Sequence, residues 1–146
     1  NSVIYLNPKD EEMICVAPLN KIALRDTVTG KTYLLENTDA VSGYTGDKGW
    51  LELLSGGKLS LYKHTSKTVT ESKAYGSSIT EQRIRASEKY LVSIGGVVSR
   101  VKKVKEIADL IPADKKQSFL AQVDKEKWSG KKESDYIKAV EYYNSL

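Results

Sequence analysis

One cysteine and one histidine, Cys15 and His64, stand among 146 residues. A lone cysteine allows no internal disulfide framework and no cysteine-based zinc site, and a lone histidine allows no multi-histidine metal centre. Long apolar runs are missing too, so the chain holds no candidate for a membrane-spanning helix. The ten glycines include Gly56-Gly57 and Gly95-Gly96, yet they give no Gly-x-Gly-x-x-Gly and no complete phosphate-loop motif. The acids Asp26, Glu36, Asp39, Asp47 and Glu52 are scattered, and the stretch from Asp39 to Asp47 lacks the alternating Asp/Asn pattern of a calcium loop. No metal or other cofactor is therefore expected.

What is present is the composition of a globular protein, 40% hydrophobic and 29% charged. Period-two patterns and turn residues run from the start to about residue 101. Val3 to Leu6 and Met13 to Ala17 read as strands, with Cys15 as a small buried hydrophobe in the second. Lys21 to Arg25 and Thr32 to Leu35 read as a hairpin across Thr29-Gly30. Residues 37–49 read as a long loop, a length that is usually functional or mobile. Trp50 to Leu54 and Leu59 to Tyr62 flank the Gly56-Gly57 turn. The stretch 65–78 reads as a weak edge strand near Thr68 to Thr70, then a flexible loop. In the next strand Ile84, Ala86, Tyr90, Val92 and Ile94 share one face, and Gly95-Gly96 turns it onto Val97 to Val101.

The period then becomes helical. Val104, Ile107, Ala108 and Ile111 form one stripe, Phe119, Leu120 and Val123 a second after Pro112, and Tyr136, Ile137, Val140 and Tyr143 a third. Segregated strands and helices predict an α+β fold. It consists of an antiparallel β-sheet of hairpins in the N-terminal two thirds, followed by two to three C-terminal α-helices packed on it. A single domain, 1–146, is expected, β-rich over 1–101 and helical over 102–146. Nine tyrosines and two tryptophans against one phenylalanine suit a small core or an interface. Trp50, Tyr90, Tyr136 and Tyr143 are assigned to the core, and Tyr44, Tyr75 and Tyr142 stay open.

Net charge is +4. It comes from the second half, and most densely from residues 83–105. There Arg83, Arg85, Lys89, Arg100, Lys102, Lys103 and Lys105 are opposed only by Glu88. Period two puts Arg83, Arg85 and Lys89 on one strand face, and Arg100 on the paired strand can join them. The candidate binding face is thus Arg83, Arg85, Lys89, Arg100, Lys102 and Lys103. It suits an anionic or protein partner. It also suits a solvated face whose basic residues discourage edge aggregation. Nucleic acid is disfavoured, because a stacking platform needs interleaved aromatics and Tyr90 belongs to the other face.

Four ordered stretches carry a resemblance. They are Trp50 to Lys63, Lys89 to Val98, Lys102 to Ile107 with Leu110 to Lys116, and the ending Asp135 to Asn144. Over Trp50 to Asn144, two thirds of the chain, the sequence resembles the C-terminal region of uncharacterised secreted proteins of Bacteroidota. The resemblance brings no catalytic motif and so no functional residue. It implies export past the inner membrane and a secreted, periplasmic or outer-membrane-associated location.

The expected function is that of a non-catalytic interaction or accessory subunit of an envelope assembly, with a protein partner. An anion- or nucleic-acid-binding module on the basic face 83–105 is one alternative. The other is a small hydrolase using His64 and a loop carboxylate. That reading lacks an identifiable nucleophile elbow and orienting carboxylate, and His64 is expected instead to be a partly exposed strand residue.

Overall fold

Short turns between alternating strands favour pairing of sequence neighbours, and the sheet follows that rule throughout. The computed structural model describes residues 3–73 and 80–146. Strands β3 (Lys21–Arg25), β4 (Thr32–Asn37), β5 (Trp50–Ser55), β6 (Leu59–Lys73), β7 (Thr80–Ile94) and β8 (Val97–Val101) form a six-stranded sheet in sequence order. All its pairs are antiparallel. The β7–β8 turn consists of Gly95 and Gly96 alone, with φ +57° and +79°. Two successive positive φ values make the primed turn whose twist matches the strands, and glycine adopts them without steric cost. A 3-10 helix (Val104–Asp109), α1 (Ala113–Glu126) and α2 (Glu133–Ser145) complete the α+β fold. None of the helices among the described residues is long and apolar enough to cross a membrane.

The helices cover one face of the sheet. Leu59 and Leu61 of β6, Val92 of β7 and Val101 of β8 pack against Val104, Ile107, Ala108, Ile111, Phe119, Val123, Tyr136, Ala139, Val140 and Tyr143. All three helical stripes read from the sequence point inward, with Leu120 and Ile137 at their margins. Tyr90 stacks on Tyr136 with ring centroids 4.4 Å apart, and the Tyr136 hydroxyl donates to the Lys102 carbonyl at 2.7 Å.

Polar contacts fasten α2 to the sheet. The Asn144 side-chain amide donates to the Leu59 carbonyl and accepts from the Leu59 N–H, both at 2.9 Å. It completes the start of β6 as a neighbouring peptide would. Lys63, with a side chain only 12% exposed, places its ammonium 2.8 Å from both Glu52 of β5 and Glu133 of α2. Burial alone would favour loss of the Lys63 proton. The hydrogen bonds and charges of Glu133 and Glu52 outweigh it, so the ammonium is held in its charged form beyond the ordinary lysine range.

Several local expectations need correction. The stretch Thr65 to Lys73 is not a weak edge strand followed by a loop; it is the outer half of β6, paired residue for residue with β7. The flexible loop read over 74–78, with Tyr75, lies outside the described residues. Strands β1 (Val3–Leu6) and β2 (Glu12–Cys15) do not join the main sheet but form their own hairpin. Its apolar side chains stay outside the core: Ile4, Tyr5, Leu6, Met13 and Ile14 are exposed, and Cys15 is half-buried rather than buried. The segment after Lys103 winds as a 3-10 helix, which keeps the same i, i+3 stripe.

Two stability outcomes follow. Asn144→Ala leaves the partly buried Leu59 N–H and C=O without their partner and should cost about 2 kcal/mol in urea unfolding. Lys63→Met leaves Glu52 and Glu133 facing each other with little solvent and should cost about 3 kcal/mol. Glu133→Gln, which keeps the Lys63–Glu52 pair, should cost less than Lys63→Met. Equal unfolding midpoints for Lys63→Met and the parent protein would remove the ionic fastening from this account.

Candidate binding site beneath the 38–49 loop

The second face of the sheet carries no α-helix among the described residues. It is covered by the connection between β4 and β5, and the local sequence shows how that segment is tied down. Asn37 accepts from the Asp39 N–H at 3.0 Å and starts a short 3-10 helix, Thr38–Ala40. The neck closes where the Thr38 N–H donates to the Gly49 carbonyl at 3.0 Å and the Gly49 N–H donates to the Thr38 hydroxyl at 2.9 Å. Val41 then drops into a second apolar cluster with Leu51, Tyr62 and Leu91, flanked by Tyr44, Leu53 and Val98. Gly43, at φ +77°, lies directly against the Gly96 carbonyl, where a Cβ would collide with backbone. The loop is therefore pressed onto the β7–β8 turn by a contact that only glycine permits.

Beneath this cover Tyr62 donates to Glu36 at 2.9 Å, and Glu36 also pairs with Lys21 at 2.7 Å. Burial, reinforced by the Glu36 hydrogen bond and charge, pushes the Tyr62 hydroxyl up to about 12. On the helix side, burial and then Glu133 and Glu88 push Tyr90 up to about 12 as well.

Beside the apolar cluster the loop roofs a concavity of about 270 Å³. Its walls are Tyr44, Thr45, Gly46 and Asp47 from the loop, His64 from β6, Lys89 and Leu91 from β7, and Val98 and Arg100 from β8. The Tyr44 hydroxyl donates to the Asp47 carbonyl at 3.1 Å and stiffens the roof. His64 is not the partly exposed strand residue expected from sequence: only 8% of its surface is exposed. Its position follows from register, since His64 pairs with Lys89 across β6 and β7.

The six residues of the expected basic face are only partly brought together. Lys89 and Arg100 meet at this concavity. Arg83 and Arg85 lie farther out on β7, exposed, beyond the end of β8. Lys102 and Lys103 line a groove with Lys105 and residues 128–131, and Lys102 also shares a smaller concavity with Glu88, Lys89 and Arg100. Tyr90 faces the helices, stacked on Tyr136, and so adds no aromatic to the basic side. Sequence reasoning did not bring His64, Tyr44 and Asp47 together with Lys89 and Arg100. The signal that could have found them is the β6–β7 pairing, which needed β6 to be recognised at its full length. Among the described residues, no group of three or more His, Cys, Asp or Glu is placed to hold a metal ion.

Comparison with protein-family models, with curated proteins and with solved structures returns no match. The layered burial has a measurable consequence at high pH. Tyr62 and Tyr90 keep their protons in the folded chain up to about 12, against 10.0 for an ordinary tyrosine. Their folded-state values are raised, so their stabilising contribution is complete below pH 10 and is lost as pH climbs toward 12. Phenolate absorbance should show a late step near pH 12, diminished in Tyr62→Phe and again in Tyr90→Phe. A single step near pH 10 for all nine tyrosines would contradict the burial described.

Proposed function

We propose that this chain is a non-catalytic interaction protein of the cell envelope that docks through the outer half of the β6–β7 hairpin onto an extended segment of another protein. One observation carries the reading. β5 stops pairing with β6 at Lys63, and β8 stops pairing with β7 at Tyr90. From Thr65↔Glu88 to Lys73↔Thr80, nine further residue pairs continue as a free two-stranded ribbon. At about 3.4 Å per residue it reaches about 30 Å from the sheet.

A two-stranded ribbon gains little stability on its own. This one buries almost nothing: every residue from 67 to 73 and from 80 to 88 is exposed. One face shows Val69 and Ile84, 55% and 68% exposed, opposite each other across the strands. The other shows Thr68, Thr70, Arg83 and Arg85. Both outer edges present backbone N–H and C=O groups that no other strand among the described residues takes up. An added strand satisfies such edges, while the side chains on alternate faces choose the partner. The resemblance of Trp50 to Asn144 to secreted proteins of Bacteroidota supports the envelope location.

The test places a photo-reactive residue at Ile84, at Val69 or at the exposed α1 position Gln117 in cells of the native host. A discrete adduct with one other protein is expected from the two ribbon positions and not from 117. With the probe at Val69, Ile84→Lys should abolish it. Adducts of equal yield and pattern from all three positions, or none from the ribbon, would overturn the docking role.

A further inference from the structure

The concavity under the 38–49 loop gathers cationic groups in a way that the docking role of the ribbon does not use. His64 and Lys89 are directly paired across β6 and β7, and Arg100 of β8 pairs with Leu91 of β7. Direct cross-strand neighbours lie about 5 Å apart and diagonal ones about 7–8 Å. The imidazole, the ammonium and the guanidinium therefore rise from one small patch of the sheet, and all three line the same cavity.

Among the described residues, no protein group occupies any of the three. Neither Lys89 nor Arg100 forms an ion pair among the described residues, although eight other pairs are present there. His64 is more than nine-tenths buried, and its ring nitrogens have no hydrogen-bond partner among the described residues. Every fully enclosed side-chain nitrogen or oxygen that is described does have a partner. The imidazole nitrogens thus remain open to the cavity that His64 lines.

The roof adds the Tyr44 and Thr45 hydroxyls and one opposing charge, the Asp47 carboxylate, on an exposed residue at the rim. Two fixed cations against one carboxylate leave the wall positive before any proton on His64. The volume, about 270 Å³, lies just below the 300–1,000 Å³ of drug-sized ligand sites. A planar guanidinium and a mobile ammonium side by side match an oxygen-rich anion. We infer that this cavity binds a small oxyanion, a phosphate or carboxylate group, held by Lys89 and Arg100, with His64 as its enclosed hydrogen-bonding partner. Asp47 is placed to accept from a hydroxyl or ammonium on the same ligand.

His64 is the only histidine, so its ring resonances report on the cavity without assignment ambiguity. Inorganic phosphate and, separately, acetate are titrated into the full chain, with ionic strength held constant by sodium chloride. A saturable shift of the His64 ring signals is expected with at least one of the two, and the anion that saturates identifies the source. Lys89→Gln with Arg100→Gln should weaken that binding about tenfold or more. Arg83→Gln with Arg85→Gln, on the ribbon, should leave it unchanged, with the fold of each variant checked in the same spectra. A non-saturating response to both anions would overturn the assignment, as would equal weakening by the two double variants. Cross-linking from the ribbon does not depend on either outcome.

Discussion

The pairing of β6 with β7 over fifteen residue pairs is the constraint on which the other layers rest. Side chains on a strand alternate between faces, so one register fixes every facing at once, and a slip by one residue would invert them all. Here it sends Leu61, Lys63, Tyr90 and Val92 to the helices, and Tyr62, His64, Lys89 and Leu91 to the loop. Only the inner third of the hairpin is covered on both sides. The outer part keeps the register but has no layer to bury against.

The two covers differ in kind. The helix side is a large apolar core secured at its margin by Lys63 and Asn144. The loop side is a small cluster of four buried residues, kept in place by the Thr38–Gly49 neck and the Gly43–Gly96 contact. A thin cover over a wide sheet leaves room at its edge, and the cavity lined by His64, Lys89 and Arg100 occupies that room. The tyrosine-rich composition suits this design. Tyr136, Tyr62 and Tyr44 each bury a ring while spending the hydroxyl on a carbonyl or carboxylate, which phenylalanine could not do.

The segregation of strands and helices was legible because each element buries one face, and a buried face leaves a period. Val104, Ile107, Ala108 and Ile111 show this even though the segment is 3-10 rather than α, since both helix types bring i and i+3 together. The ribbon was not legible for the converse reason. Lys67, Thr68, Val69 and Thr70 bury neither face, so nothing selects an alternation. The apolar strands β1 and β2 misled in the opposite sense: Cys15 read as a buried hydrophobe in a sheet of hairpins, yet it is half-buried and the β1–β2 hairpin stands apart from the main sheet. The end of α1 was hidden as well. The chain turns at Lys127, a left-handed residue at φ +58° that no sequence pattern marks. The site was half visible. Basic residues on one strand face follow from counting by two, but the meeting of His64 with Lys89 needs the register between strands thirty residues of chain or less apart.

The Asn144 clasp also bears on the order in which the molecule is assembled. Strands β3 to β8 join only sequence neighbours, so the entropy lost in closing each connection is modest and the meander can form as the chain is made. The clasp joins positions 85 residues apart and needs the last turn of α2. Until that turn arrives, Leu59, Leu61 and Val92 face water on a nascent sheet. The final helix therefore acts as the latch of the folding sequence, shutting an apolar surface that the earlier nine tenths of the chain leave open.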